Sequence, residues 1–341
     1  MSIYPKILKV ETGWITQTHN YFPTDEYIDY RVYEKVPKWW RQIEQWLRLD
    51  IYLAFKAKEI ADQYDIIWAN SEKVAVPLSF LNIKKPLVVV LQYPESPLRV
   101  LVIKLFGLAK RWAGVGIVSR QARYFLQSQF GIDSKKIFQY FAIKTDVFQP
   151  AADHQGENGP ILSMGVAKRD YDTLIEALSE LPGCHAEIHA SSKYGDLYQG
   201  RKITKVPDWI RFPGRIPDHE LTHRYQACRF VVIPMQPTSH SGAGVTSALE
   251  ASASGKAVIA TNTGGMSSYV ISGKTGILVP PHDVRAMRTA IKTLWENKEL
   301  AAEMGHAGRK FVEENYNHES VVFDITHFLR NLLSSEPKVQ E

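Results

Sequence analysis

The sequence predicts an α/β protein built from two doubly wound, Rossmann-like domains. Short, unbroken runs of apolar residues recur along the chain, which is typical of parallel strands that are covered on both faces. Segments with helical periodicity separate these runs, as in a doubly wound sheet. The alternation stops at residues 149–160, which are rich in glycine, proline and polar residues, and then restarts. This segment is the expected linker between two sheets.

Each half of the chain has its own set of predicted elements. In the N-terminal half, strands are predicted at residues 7–10, 65–69, 87–91 and 116–118. In the C-terminal half, they are predicted at residues 160–164, 186–190, 230–233, 257–260 and 277–279. Helices are predicted from residue 171, with Asp170 as the N-cap, and at 218–227, 245–253, 284–296 and 317–333. The expected domains are therefore residues 1–150 and 158–318.

Composition excludes several classes of protein. The chain has 341 residues, 45% of them apolar and 23% charged, as in ordinary globular domains. Its net charge of +5 suits an anionic ligand or an anionic membrane surface, and is too small to indicate nucleic acid binding. Cys184 and Cys228 match no zinc or redox spacing and fit a reducing cytosol. Without a secretory signal or an apolar run of ~18–20 residues, we expect a cytoplasmic protein, with peripheral attachment to the inner membrane face as the alternative.

The most informative stretch is a run of small residues that follows a predicted strand and opens a predicted helix. Small side chains let a ligand approach the main chain, and the free N–H groups of a first helical turn favour an anion. The candidate residues for binding a diphosphate are Ser241, Gly242, Ala243, Gly244, Val245 and Thr246. Glu250 lies about two turns into the helix, where its carboxylate can accept hydrogen bonds from ribose hydroxyls. Spacing alone fits a simple glycine-rich turn equally well.

An ordered set of motifs surrounds this loop. The motifs are residues 165–171 (Gly-Val-Ala-Lys-Arg-Asp-Tyr), 211–216 (Arg-Phe-Pro-Gly-Arg-Ile), 230–234, 249–261 (Leu-Glu-Ala-Ser-Ala-Ser-Gly-Lys-Ala-Val-Ile-Ala-Thr), 264–265 and 273–283. In this order they resemble the nucleotide-sugar signature of the retaining GT-B glycosyltransferases of group 1, the family that includes sucrose synthases and phosphatidylinositol mannosyltransferases. The resemblance implies a GT-B architecture, in which two Rossmann-like domains face each other across a cleft. It also implies a C-terminal helix, here 319–336, that crosses back to the N-terminal domain.

The resemblance implies roles for particular residues. Arg169 falls where the family places a lysine or arginine on the donor diphosphate, and Lys168 lies beside it. A fixed cation there lowers the barrier because negative charge grows on the leaving group; taken alone, this pair fits a solvated helix start. The residues that match the family's nucleobase-binding loop are Gly214, Arg215 and Ile216.

The resemblance also describes the expected substrates. Glu250 matches the family's ribose-binding glutamate, and enzymes of this fold generally act without a bound metal. We therefore expect neither a metal nor a cofactor besides the nucleotide sugar. A UDP-sugar is the favoured donor, with a GDP-sugar as the alternative. The expected reaction is hexosyl transfer with retention to a hydroxyl acceptor, either lipid-linked or part of a polysaccharide.

The chain departs from the family pattern around the sugar. Gly242 stands where many members have a first glutamate, so the identity of the sugar is open. His240, which alone fits a solvated loop residue, and Gly13 are the remaining candidate sugar contacts. After the strand at 87–91, where members often have a histidine, Gln92 and Glu95 are candidate catalytic or acceptor-binding residues. Ordinary loop positions are the alternative for both.

Two segments have the composition of helices that lie on a membrane surface. Residues 38–48 combine tryptophan with basic residues, and residues 98–112 are apolar with four basic residues and no acidic one. Buried helices of an α/β domain can have the same composition, so both interpretations stay open. Two other functions also stay open: a catalytically silent module that binds a nucleotide sugar, and a related epimerase or hydrolase that acts on the nucleotide sugar itself.

Overall fold

A computed structural model describes residues 5–11, 25–91, 97–152, 156–192, 195–196, 206–238 and 242–334. The chain forms two compact units, Met1–Phe141 together with Ser320–Glu341, and Ala142–Glu319. Each unit contains a parallel sheet of six strands with helices between the strands, so the predicted α/β class with two sheets is confirmed. The segment 149–160, predicted to be a linker, lies in the second unit.

The sheet of the first unit reverses its strand order once. Its strands are β1 (Ile7–Val10), β2 (Asp25–Ile28), β3 (Ile66–Ala69), β4 (Leu87–Leu91), β5 (Trp112–Ile117) and β6 (Ile137–Gln139). Their order across the sheet is β2-β1-β3-β4-β5-β6, and all neighbours are parallel. All the residues of β3 and β4 are buried, as their unbroken apolar sequences predict, and so are those of β1, which include Lys9.

Five helices of the first unit connect these strands. They are α1 (Lys38–Leu47), α2 (Ile51–Ile60), α3 (Glu72–Phe80), α4 (Pro97–Leu105) and α5 (Arg120–Phe130), with 3-10 turns at Tyr30–Lys35, Ala61–Gln63, Leu108–Arg111 and Ser134–Lys136. Side-chain caps fix where two of them begin: Ser71 accepts a hydrogen bond from the amide of Lys73, and Ser119 from that of Ala122. Gly131, with φ of 62°, ends α5.

The second unit has a sheet of the dinucleotide-binding type. Its strands are β7 (Ile161–Met164), β8 (Ala186–His189), β11 (Ile210–Arg211), β12 (Val231–Ile233), β13 (Val258–Thr261) and β14 (Gly276–Val279), and a separate antiparallel pair is formed by β9 (Ser191–Ser192) and β10 (Gly195–Asp196). The order β11-β8-β7-β12-β13-β14 is the 3-2-1-4-5-6 order of Rossmann folds. It reverses between β7 and β12, so a ligand is expected at the carboxyl ends of these two strands.

Most helices of the second unit lie where the sequence predicts them. They are α6 (Tyr171–Ser179), α7 (Leu221–Ala227), α8 (Val245–Ala253), α9 (Val284–Glu296) and α10 (Lys298–Asn315), with 3-10 turns at Asp218–Glu220 and Met266–Ser268. The bounds of α8 and α9 are those predicted, and Asp170 caps α6 by accepting a hydrogen bond from the amide of Thr173. Helix α10 was not predicted.

The last helix, α11 (His318–Ser334), starts in the second unit and continues into the first. In the first unit its Phe328 ring lies 5.0 Å from that of Phe138. This contact requires a glycine at position 114 of β5, because a Cβ atom there would lie 2.5 Å from the Phe328 ring. Within the part of the chain that the structure describes, no helix combines the length and apolarity needed to cross a bilayer.

Candidate active site

The loops after β7 and β12 are joined directly where the strand order of the second sheet reverses. The amide of Asp170 donates to the carbonyl of Pro234 at 3.0 Å, and the amide of Gln236 donates to the carbonyl of Lys168 at 2.9 Å. These bonds form an isolated antiparallel bridge between Arg169 and Met235. The predicted cations are therefore held at the position where sheets of this type bind ligands.

The guanidinium of Arg169 is held in place by contacts with neutral groups. Its Nε donates to the carbonyl of Met164 at 2.9 Å, and one terminal nitrogen lies 3.2 Å from the carbonyl of Ala167 and 2.8 Å from Sδ of Met235. The other terminal nitrogen donates to the hydroxyl of Ser247, in the first turn of α8, at 3.3 Å. None of these partners carries a charge that would cancel that of Arg169. Burial lowers the pKa of Arg169, as expected for a cation that has lost part of its water shell.

Glycine at position 165 makes this arrangement possible. Its φ is 102°, in the region that favours glycine, and a Cβ atom there would lie 2.6 Å from a terminal nitrogen of Arg169. Lys168 is exposed and also has a positive φ, 56°, which is uncommon for a residue with a side chain. Strained backbone of this kind concentrates at functional sites.

The start of helix α8 has the features of an anion site. Gly244 precedes the helix with φ of 79° and, at this N-cap position, has no side chain with which to cap the first turn. A Cβ atom at Gly244 would lie 2.9 Å from Cε of Met266, whereas one at Gly242 would meet open space. Ala243 is partly buried, Val245 is buried and Thr246 is exposed. The bond from Arg169 to Ser247 therefore places a positive charge beside an uncapped, positive helix end.

Glu250 has a buried tyrosine as its partner. The hydroxyl of Tyr225, in α7, donates to Oε2 of Glu250 at 2.8 Å, and it also lies 3.2 Å from Sδ of Met164. Since the carbonyl of Met164 accepts from Arg169, Glu250 and Arg169 belong to one connected set of contacts. Burial raises the pKa of Glu250 to about 7, and the Tyr225 hydrogen bond counteracts this in part.

The predicted nucleobase loop lies at the same edge of the sheet. Gly214 has φ of 85°, and its carbonyl lies 2.7 Å from Nδ1 of His189, the buried last residue of β8. Burial lowers the pKa of His189, which favours its neutral form. Arg215 is exposed and pairs with Asp218 at 3.0 Å, and Ile216 is partly buried.

The structure thus brings together most of the predicted residues of the second unit. Five candidates, Gly13, Gln92, Glu95, His240 and Ser241, lie outside the described residues. The sequence analysis missed Tyr225, Ser247 and His189. Each lies inside a helix or at the end of a strand, where the neighbouring sequence does not indicate its partner. In the described ranges, no three His, Cys, Asp or Glu side chains are grouped as metal ligands.

Comparison with known proteins places this unit in a family. The family model described as "Glycosyl transferases group 1" matches residues 161–311. The GDP-mannose-dependent alpha-(1-6)-phosphatidylinositol monomannoside mannosyltransferase of Mycolicibacterium smegmatis is 31% identical over 222 residues, which are 59% of this chain and 58% of that protein. A glycogen synthase of Mycobacterium tuberculosis is 27% identical over 182 residues, 50% of this chain and 43% of that protein. This chain thus spans less than two thirds of either relative.

Solved structures show the same fold at lower sequence identity. Sucrose-phosphate synthase of Thermosynechococcus elongatus matches with a TM-score of 0.70 at 21% identity, over 93% of this chain and 83% of that chain. Anabaena HepE, solved in complex with UDP and glucose, matches with a TM-score of 0.68 at 19% identity, over 90% of this chain and 86% of that chain. Two parallel α/β units with these neighbours define a protein of the GT-B fold. Residues 161–311 match the group 1 glycosyltransferase family, and the chain is similar to members of that family beyond this segment.

Proposed function

We propose that this protein transfers a sugar from a nucleoside diphosphate sugar to a hydroxyl acceptor. The observation that supports the proposal best is the Arg169 guanidinium, which is half-buried, has neutral partners and is bonded to the first turn of α8. A cation fixed beside an uncapped helix end suits a diphosphate. The match of residues 161–311 to the group 1 glycosyltransferases and the connected position of Glu250 support a nucleotide as the group that bears this diphosphate.

Each part of the donor has a proposed partner. Arg169, Lys168 and the amides of residues 241–246 bind the diphosphate and stabilise its charge as the glycosidic bond breaks. Glu250 accepts hydrogen bonds from the ribose, and the backbone of residues 214–216 holds the base. His240 and Gly13 remain the proposed contacts of the sugar, and Gln92 and Glu95 those of the reacting centre or the acceptor. We propose that no metal is required, because these cations and amides neutralise the diphosphate.

The base and the stereochemistry follow from similarity alone. One relative is named as GDP-mannose-dependent, and a structural neighbour was solved with UDP and glucose. A UDP-sugar is the favoured donor, with a GDP-sugar as the alternative. Retention at the anomeric carbon is proposed from the resemblance and is tested by determining the anomeric configuration of the product by NMR.

The test is a release assay with matched variants. UDP-, GDP- and ADP-sugars are incubated with and without hydroxyl acceptors, in the presence of EDTA, and free nucleoside diphosphate is measured. We expect acceptor-dependent release that is lost in Arg169→Gln and Glu250→Gln, but kept in Arg285→Gln and Glu303→Gln, which change exposed residues of α9 and α10. Unchanged binding and turnover in the first two variants would contradict the site.

The same assay separates the two other functions. Release of nucleoside diphosphate without an acceptor would indicate a hydrolase. Conversion of the sugar, or its reversible release, would indicate an epimerase. Thermal stabilisation by one nucleotide sugar, with no release in any mixture, would indicate a catalytically silent binding module.

We also propose that the first unit attaches the protein to an anionic membrane, where a lipid-linked acceptor is presented. Helix α1 turns its charged Glu44 inward and exposes one apolar side formed by Trp39, Ile43 and Trp46, the last with 82% of its surface accessible. Tryptophan and basic residues on the exposed side of a helix are typical of the membrane interface.

A second apolar surface lies on α4 and its neighbours, within the segment 98–112. Its exposed side chains are Leu98, Leu101, Leu105 and Phe106, and Phe80 of α3 meets Phe106 edge to face with ring centroids 5.1 Å apart. Exposed apolar residues that cluster in this way often mark an interaction surface. The basic residues in the same segment suit anionic lipids.

The membrane proposal is tested by co-sedimentation with anionic vesicles at low salt. We expect binding that falls in Trp39→Ser with Trp46→Ser, and separately in Lys104→Glu with Lys110→Glu. Phe323→Ser removes an equally exposed aromatic residue from α11 and serves as the control. Binding that is absent, or equal in all these proteins, would refute membrane attachment and leave the proposed transfer reaction untouched.

A further inference from the structure

The second unit contains a basic cavity at the amino edge of its sheet, opposite to the edge that holds the proposed donor site. The residues that line it come from the segments before β7, β12 and β13 and from α10. Its volume is about 290 Å³. Because a water molecule in the liquid occupies roughly 30 Å³, a tetrahedral anion fits inside with room for water.

Cations predominate among the charged groups of this cavity. In the described part of the lining, Arg229, Lys256 and Lys298 lie with His306 and the carboxylate of Glu157, and the carboxylate of Glu299 also acts on Arg229. Burial lowers the pKa of both Arg229 and Lys256, which means that their charges are poorly solvated. An anion in the cavity would compensate for this lost solvation.

Two buried polar atoms of the cavity residues have no hydrogen-bond partner among the residues that the structure describes. One is Oγ of Ser254, a residue that is 1% exposed and follows the end of α8. The other is Nε of Arg229, whose terminal nitrogen is bonded to the carbonyl of Trp295. A buried hydroxyl and a buried N–H without partners are unfavourable unless a ligand or water satisfies them.

We propose that this cavity binds a phosphate group, either free or as a monoester of a small molecule. The hydroxyl of Ser254 and Nε of Arg229 donate to phosphate oxygens, and Lys256 and Lys298 supply the balancing charge. Lys298 now donates to the side-chain carbonyl of Asn158 at 2.5 Å, a neutral acceptor that a phosphate oxygen can replace. The site does not depend on the proposed transfer reaction, and nothing in it belongs to the donor site.

The structure supplies an optical reporter for this site. The guanidinium of Arg229 lies 4.6 Å from the centre of the Trp295 ring. A phosphate bound to Arg229 changes the charge next to this indole, and therefore its fluorescence. The assay titrates the full-length protein with sodium phosphate, with sodium chloride at matched ionic strength as the reference. Trp295→Phe is expected to remove the signal.

Variants then locate the binding. We expect Lys298→Gln and Ser254→Ala each to weaken the affinity for phosphate about tenfold, or by about 1.4 kcal/mol, because each removes a hydrogen-bond donor to a charged group. Lys292→Gln, an exposed substitution on the neighbouring α9, is expected to change nothing. The two cavity variants avoid Arg229, whose removal would also disturb Trp295.

The donor site also binds phosphate in our proposal, so it is tested separately. The fluorescence response is expected to persist in Arg169→Gln. Glycerol 3-phosphate is expected to compete if the natural ligand is a monoester, and inorganic phosphate alone to act if it is free phosphate; either result supports the site. No saturable response, a phosphate affinity in Lys298→Gln and Ser254→Ala equal to that of the wild type, or a response lost in Arg169→Gln would overturn it.

Discussion

Tyr225→Phe tests how the site controls the charge of Glu250. The substitution removes one oxygen atom, the hydroxyl that donates to Oε2 of Glu250 at 2.8 Å. The ring of Tyr225 is fully buried, and phenylalanine keeps its shape. The variant therefore changes the hydrogen bond and leaves the packing of α7 nearly unchanged.

The size of the effect follows from the surroundings of the carboxylate. Burial raises the pKa of Glu250 to about 7, although the Tyr225 hydrogen bond lowers it. A hydrogen bond to a charged group is worth about 1.5–3 kcal/mol, and one pKa unit corresponds to about 1.4 kcal/mol. We therefore expect the pKa of Glu250 to rise by about one unit or more in Tyr225→Phe.

The assay is the affinity for a nucleoside diphosphate, measured by calorimetry between pH 6 and pH 9. If ribose hydroxyls donate to the ionised carboxylate, the Kd should increase about tenfold per pH unit below about pH 7, since the protonated form binds poorly. Tyr225→Phe should move this transition to higher pH, and Glu250→Gln should abolish it. A transition that stays in place or moves to lower pH would refute the role of Tyr225.

The same carboxyl group makes stability depend on pH in the absence of ligand. The pKa of Glu250 is about 7 in the folded protein and 4.5 in its unperturbed state, so the folded form binds more protons between these values. Stability should therefore fall as the pH rises from about 4.5 to about 7, by about 2 to 3 kcal/mol. Urea unfolding of the wild type and of Glu250→Gln should show this difference, and parallel pH profiles would contradict it.

Two glycines provide further tests of packing. Gly165→Ala places a Cβ atom 2.6 Å from the Arg169 guanidinium, so we expect the affinity for the donor to fall at least about tenfold. Gly183 has a similar φ of 94° with open space around it, so Gly183→Ala should leave the donor affinity unchanged. Equal losses in calorimetric titrations of both variants would refute the contact. Gly114→Ala should lower the free energy of unfolding by about 1–3 kcal/mol in urea experiments, because the added Cβ atom meets the Phe328 ring. Adding Phe328→Leu should restore part of the lost stability. A loss that Phe328→Leu leaves unchanged would contradict the clash.

Elements with a strong local pattern could be predicted from the sequence. The buried strand β4 and the helices α8 and α9 have the bounds that apolar runs and helical periodicity gave. Helix α10 was missed because Gly305 and Gly308 weaken its helical pattern. The structure explains the first of these glycines: a Cβ atom at Gly305 would lie 2.0 Å from the carbonyl oxygen of Gly255.

The candidate site could be predicted from the sequence only in part. The ordered motifs singled out Arg169, Glu250 and the start of α8 as candidates, because each of these lies in or beside a recognisable loop motif. The contacts that hold them join residues far apart in the chain, such as Tyr225 with Glu250 and His189 with Gly214. Such pairs depend on how strands and helices pack, and a single sequence contains no pattern that specifies them.

The positive charge of the site is fixed before any ligand binds. Arg169 is held by the loop after β7, by Met235 after β12 and by Ser247 in α8, so three elements position one guanidinium. A neutral acceptor is a weaker partner for arginine than a phosphate oxygen, so in the proposed reaction a diphosphate engages this cation without a reorganisation of the loops. Because three separate elements position this guanidinium, a single glycine-rich motif left the function of the loop ambiguous. An ordered set of motifs from several elements was more informative.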